Sequence, residues 1–338
     1  MSAPETRQKA TTSQRALLLA MVFIPLMAPA VFLAMTGYTS LVSACVYGGI
    51  IALVAALYSY RLSVVLSLVA GTSAFIAVVV EPYPLAGAIF MGLLAGGAAL
   101  SARRGLHSPA LIVPLAISLV ITAPPSVTGV DSAVATGLIA AAVMTGSGLW
   151  VTLVSRLVLG STGPRLPRRE YSRTASITYA AVMAAVIGLT AYVVLAVYPV
   201  DRGGWLILTL VVVLQPSTKD TVKKTLQRLG GTIAGLGIAL LITLVDLPLW
   251  ADLLGSAVLL YIALAVQFVL RLPYGIYVMC LTPAILLLNV EAADALDLAT
   301  KRLELTAVGA GIAIAVAFIA KIVLIELHRP RATSAPRA

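Results

Sequence analysis

The sequence predicts an all-α polytopic membrane protein with about twelve transmembrane helices, arranged as two six-helix halves. Three observations carry this. The 338 residues are 60% apolar and only 11% charged, and their mean hydropathy is +1.04; soluble chains are about a quarter charged. Apolar runs recur along the whole chain, most close to the roughly 20 residues that a helix needs to cross the hydrocarbon layer. The basic residues gather in alternate connections between those runs, as the positive-inside rule requires of a multi-pass chain.

Taken in order, the first segment is 16–36. Arg15, an apolar run and Ala28-Pro29-Ala30 together resemble a secretory leader. The run continues to about residue 36, too long for a leader's apolar region, so an uncleaved helix is expected. Segments 40–59, 62–80, 85–101, 108–123 and 133–157 complete the first half, 16–159. The polar stretch "GSTGPRLPRREYSRTAS" opens with Gly and Pro and carries four Arg, the marks of a linker, here assigned to 160–175. The second half, 176–327, holds segments 176–198, 203–216, 229–246, 250–270, 273–290 and 303–326. Segments 108–123 and 203–216 are short and carry proline, Pro114 and Pro216, so they are candidates for broken or re-entrant pieces and the count ranges from ten to twelve. The basic, Pro-containing tail 328–338 is expected to be disordered.

With residues 1–15 placed in the cytoplasm, twenty of the 23 Lys and Arg fall inside; Arg202, Lys301 and Arg302 remain outside. Both termini are then cytoplasmic and the chain sits in the cell membrane. The net charge of +10 is accounted for by this bias, so no nucleic acid is called for as a partner. Cys45 and Cys280 lie inside apolar segments without CxxC spacing and read as buried free thiols.

One phrase occurs twice. "RLGGTIAGLGIA" begins at Arg228 and "RLELTAVGAGIA" at Arg302, with seven of twelve positions identical. On the segment map the first copy opens the ninth helix and the second opens the twelfth. Three helices separate them, so they enter the membrane from opposite sides, as in an inverted 3+3 repeat. At 100° per residue Arg228, Thr232, Gly235 and Ala239 share one helix face, as do Arg302, Thr306, Gly309 and Ala313. Each stripe reads as a cation at the mouth, a hydroxyl one turn in, then small residues. Close helix packing with a snorkelling arginine accounts for the glycines, including the GxxxG pairs Gly231/Gly235 and Gly92/Gly96. For Arg228 a functional role is favoured, because its stripe faces the packed side, where a charge is costly.

Ahead of Arg228, Pro216 ends a helix. Ser217 and Asp220 have capping-box spacing, so a new helix is expected near Thr218, with Lys219, Lys223 and Lys224 on one side and Val222, Leu226 and Leu229 on another. That segment reads either as an interfacial helix on anionic lipid or as a cationic mouth that gathers anions. Trp205, Trp250, Tyr192 and Tyr198 fit an aromatic belt at the outer interface. His107 and His328 are placed outside the core, which leaves no metal cluster and no Ser-His-Asp arrangement. There is no phosphate-binding loop, and neither cofactor nor enzymatic activity is expected. The carboxylates fall at segment ends, which leaves coupling open.

The stretch "GGWLILTLVVVLQPSTKDTVKKTLQRLGGTIAGLGIALLI" resembles the fusaric acid resistance (FUSC) family: a Trp-led apolar helix, then Gln215-Pro216-Ser217, a basic stretch, and Arg228 with Gly231-Thr232 and Gly235. The second copy, with Thr282-Pro283 upstream, extends the resemblance to about residue 325. The resemblance implies an exporter of aromatic carboxylic acids, distantly similar to the aluminium-activated malate transporters of plants. The expected substrate path comprises Gln215, Pro216, Arg228, Thr232, Gly235, Arg302, Thr306 and Gly309, with Lys219, Lys223 and Lys224 attracting anions at the cytoplasmic mouth and Arg302 at the outer one. Partners are then a small organic anion, membrane lipids and a possible second copy. A passive anion channel and a non-transporting scaffold that binds envelope lipids or proteins are the alternatives.

Overall fold

The structure is a computed structural model and describes residues 12–160, 166–197, 200–245, 249–288 and 295–328. Among these the regular elements are all helical. The first half holds α1 (Thr12–Met35), α2 (Val42–Ala56), α3 (Tyr60–Val80), α4 (Pro84–Leu100), the single turn α5 (His107–Ala110), α6 (Ile112–Thr122) and α7 (Ala133–Leu159). The second holds α8 (Arg173–Val197), α9 (Val200–Val213), α10 (Thr218–Thr243), α11 (Leu249–Leu264), α12 (Tyr274–Leu288) and α13 (Ala295–His328). Eight of the helical stretches are long and apolar enough to cross a membrane; the stretches 107–122, 203–213, 254–270 and 274–287 are apolar but shorter. The chain is a multi-pass membrane protein.

Local chemistry sets the helix ends. Ser59 and Ser132 cap α3 and α7, accepting from the backbone N–H of Leu62 and Ala135, and Pro84 opens α4 where no N–H is needed. A π-helical turn, Ala265–Leu270, follows α11 and ends at Arg271 in the left-handed region, φ 54°. Prolines inside helices leave carbonyls without their N–H partner four residues on. Pro29 frees the carbonyl of Pro25 in this way, and the Trp150 indole N–H of α7 donates to it at 2.9 Å. In lipid such a repair is needed, because water is not there to make it.

The largest core draws on both halves. Met91 and Ala95 of α4, Ile117 and Ile121 of α6, Met183 and Ile187 of α8, and Ile207 and Leu210 of α9 are all buried in it. Small residues let the halves meet closely: a Cβ on Gly92 would lie 2.8 Å from the Ala184 carbonyl oxygen of α8. The Gly92/Gly96 pair therefore serves the contact of α4 with α8.

Three sequence expectations change here. The helix expected near Thr218 and the segment 229–246 are one helix, α10. No proline interrupts it after Pro216, and the pair Gly230-Gly231 is tolerated because Gly231 packs against α12. The capping box does not form: Ser217 makes no side-chain cap, and Asp220 pairs instead with Arg169 at 3.4 Å. His107, expected outside the core, is 9% exposed. Its ring packs edge-on against Tyr171 and Tyr179, because the end of the linker and the start of α8 fold back over it, held where the Tyr171 N–H donates to the Ala102 carbonyl.

A buried two-arginine centre as the candidate functional site

The repeated phrase does not open its helices. α10 starts ten residues before Arg228 and α13 seven before Arg302. Both arginines are thus carried inward, and each is 2% exposed. Arg302 was expected at an outer mouth, remote from Arg228; instead both are buried on helices, α10 and α13, that pack on one another. Sequence periodicity places both on a small-residue face, but it does not say that the two faces meet.

Each face meets another helix of the second half. α10 packs on α12: a Cβ on Gly235 would lie 2.7 Å from Thr282 Cβ and 2.8 Å from the Met279 carbonyl oxygen. That carbonyl is one that Pro283 leaves without an N–H partner. α13 packs on α9, where a Cβ on Gly309 would lie 2.9 Å from Thr209 Cγ2. Thr209 precedes Arg228, and Thr282 precedes Arg302, by nearly the same number of residues. The two contacts match, each a glycine of a repeated phrase set on a threonine of a neighbouring helix. α10 and α13 also pack on one another.

The arginines follow the same rule. Arg228 Nη1 donates to the Tyr274 hydroxyl of α12 at 3.0 Å. The Arg302 guanidinium stacks over the Trp205 indole of α9, its Cζ 3.6 Å from the ring centroid. Gly203 and Gly204 set Trp205 in place by letting the start of α9 press against Val194 of α8 and Thr122 of α6. Trp205 therefore belongs to the centre and not to an outer belt. Tyr192 is 45% exposed, whereas Tyr198 and the Trp250 side chain lie outside the described residues. Tyr274 also carries the Lys224 ammonium 5.2 Å from its ring centroid and Tyr277 beside it at 5.7 Å. Tyr47 of α2 packs against the large core that also takes in Leu206 of α9 and Ala313 of α13, so the first half borders the centre as well.

The polar accounting is incomplete in a telling way. Arg228 Nε, Arg302 Nε, Arg302 Nη1 and the hydroxyls of Thr232 and Thr282 are buried without a hydrogen-bond partner. Thr306 is buried one turn beyond Arg302. Among the described residues no Asp or Glu is buried, and no carboxylate forms an ion pair with either arginine. Buried donors are nearly always satisfied, and a buried charge without a counter-charge is costly. What this arrangement can do chemically is hold an anion against aromatic walls.

The remaining expected residues lie at the edge of this centre. Gln215 bonds its own local backbone, its side-chain amide donating to the carbonyls of Val212 and Leu214. Its backbone N–H donates to Thr221 Oγ1, which fixes the turn at Pro216. Lys219 and Lys223 are exposed, and only Lys224 reaches the centre. Tyr47, Trp205, Tyr274 and Tyr277 were not singled out as site residues from sequence. Their usable signal was placement: Trp205 follows a Gly-Gly pair, and Tyr274 and Tyr277 share a helical face.

Residues 188–316 match the family model described as fusaric acid resistance protein-like. The match runs from the end of α8 into α13 and takes in Trp205, Arg228, Tyr274 and Arg302. No curated protein and no solved structure matches the chain.

Proposed function

We infer, from a fusaric acid resistance protein-like domain at residues 188–316, that this chain is a membrane transporter of small organic anions, with Arg228 and Arg302 as its binding centre. The observation that carries the reading is the pair of buried guanidiniums with unpartnered nitrogens and, among the described residues, no carboxylate paired with them. An intramembrane charge of this kind is expensive unless it serves a ligand. The aromatic groups Trp205, Tyr274 and Tyr277 favour an acid with a flat apolar body, and they support aromatic carboxylates as the cargo. Lys224 hands the anion inward from the rim, and Lys219 and Lys223 raise its local concentration.

In this reading ten to twelve apolar segments cross the inner membrane, with both termini in the cytoplasm. Support comes from the distribution of Lys and Arg. The reciprocal Gly235–Thr282 and Gly309–Thr209 packing supports two inverted three-helix units that share the centre at their interface. Export is the direction the resemblance suggests. A passive channel is the second reading, favoured by the lack of a buried carboxylate among the described residues.

The test is efflux of a panel of aromatic acids from cells that express wild type or Arg228→Gln at equal membrane levels. Efflux by the wild type that the variant loses is the expected outcome. Undiminished efflux by Arg228→Gln would remove Arg228 from the path. Flux that follows the electrochemical gradient, with no dependence on a proton gradient, would select the channel.

A further inference from the structure

The centre described above holds two permanent charges. A guanidinium stays protonated in a protein, so neither Arg228 nor Arg302 can relieve their mutual repulsion by losing a proton. The hydroxyl partners are phenols, which ordinarily ionise near pH 10, so they supply dipoles and no countercharge. The Trp205 face eases Arg302, but a ring quadrupole carries no net charge. At the rim, Asp220 pairs with Arg169 at 3.4 Å. Among the described residues no carboxylate offsets the inner pair.

Charge balance then sets the ligand. A monoanion would neutralise one guanidinium and leave the other buried, charged and with unpartnered nitrogen. The unpartnered atoms are divided between the two arginines: Nε on Arg228, and Nε with Nη1 on Arg302. The two side chains approach from different helices, α10 and α13, and each is fixed from behind by an aromatic group of the opposite unit. We propose that the preferred ligand of this centre is a dianion, one molecule with two acidic groups, of which one is held by Arg228 and the other by Arg302. The proposal rests on the two-arginine centre being the transport site.

The experiment compares two ligands that share a ring, benzoate and benzene-1,3-dicarboxylate. At neutral pH they carry one and two charges. Uptake of each is measured at low concentration into liposomes that contain the full chain. For the wild type the dicarboxylate is expected to be carried at least tenfold faster than benzoate. In Arg302→Gln the site holds one charge, and the ratio is expected to fall to one or below. Arg302→Lys keeps the charge, and with it a ratio above one, so it serves where the Gln variant inserts poorly. Wild type that carries benzoate as well as or better than the dicarboxylate overturns the proposal. So does an Arg302→Gln variant that loses both in equal proportion. Benzoate uptake that rises with the square of concentration, matching the dicarboxylate, means that two monoanions fill the site, and also overturns it. If well-inserted wild type carries neither acid, the transport reading fails together with the dianion.

Discussion

Replacing Arg302 with methionine separates a ligand-binding arginine from a structural one. In the empty protein Arg302 buries two nitrogens, Nε and Nη1, without partners. An unpartnered buried donor costs about 1–3 kcal/mol, so the two together cost about 2–6 kcal/mol. Stacking on Trp205 at 3.6 Å returns about 2 kcal/mol. Methionine keeps much of the apolar stem and removes the charge, and it relieves Arg228 of a like neighbour. The empty Arg302→Met protein is therefore expected to be more stable than wild type by about 0–4 kcal/mol, while its preference for the dianion is lost. Arg228→Met behaves differently. It removes one unpartnered nitrogen, worth about 1–3 kcal/mol, and one charge-assisted bond to Tyr274, worth about 1.5–3 kcal/mol. Its stability is expected to stay near that of wild type. Thermal unfolding of the three proteins in one detergent, followed by far-ultraviolet circular dichroism, gives the order. An Arg302→Met protein that unfolds well below wild type would refute the reasoning, because Arg302 would then be a satisfied part of the fold.

Adjacent glycines in α10 should respond oppositely. Gly230→Ala adds a methyl in open space and should stabilise α10 by up to about 1 kcal/mol through helix propensity, whereas Gly231→Ala drives a methyl into the Gly275 carbonyl oxygen of α12 and should cost about 1–3 kcal/mol; paired unfolding midpoints decide this. Among the rim lysines, Lys219→Ala and Lys223→Ala should change the apparent affinity for the anion by less than about threefold and lose even that at high salt, since both are exposed. Lys224→Ala, which removes the ammonium over Tyr274, should weaken affinity more and at every salt concentration, read as KM for uptake. Trp205→Phe should keep most of the flux and Trp205→Leu should lose it, because only the former preserves a ring face under Arg302.

Much of the helical layout is legible in the sequence, because twenty-residue apolar runs and proline breaks are local signals. The stripe of Arg228, Thr232 and Gly235 is legible for the same reason: a period of 3.6 residues fixes which side chains share a face. What lies opposite that face is a long-range property. Arg302 looked like an outer-mouth charge because its copy of the phrase begins a hydropathic segment, while the polar residues Asp297 to Arg302 belong to the same helix. Lys301 and Asp297 pair along it at 3.6 Å, which lets a charged first turn join an apolar helix without a break. Trp205 fitted an interface belt by composition, and only the reciprocal packing of α9 with α13 brings it beneath Arg302. His107 was misplaced because its covering residues, Tyr171 of the linker and Tyr179 of α8, are distant in sequence.

The central claim is that Arg228 and Arg302 together hold one anion. It is tested most directly by titrating aromatic mono- and dicarboxylates into purified, detergent-solubilised protein, with binding heat and the shift in unfolding midpoint as readouts. Saturable binding to wild type is expected, with stabilisation of about 2.7 kcal/mol at a hundredfold excess over Kd, and with loss of both signals in Arg228→Gln and loss of the preference for the dicarboxylate in Arg302→Gln. Equal binding by wild type and both variants would contradict the account and return the two arginines to the architecture of the fold.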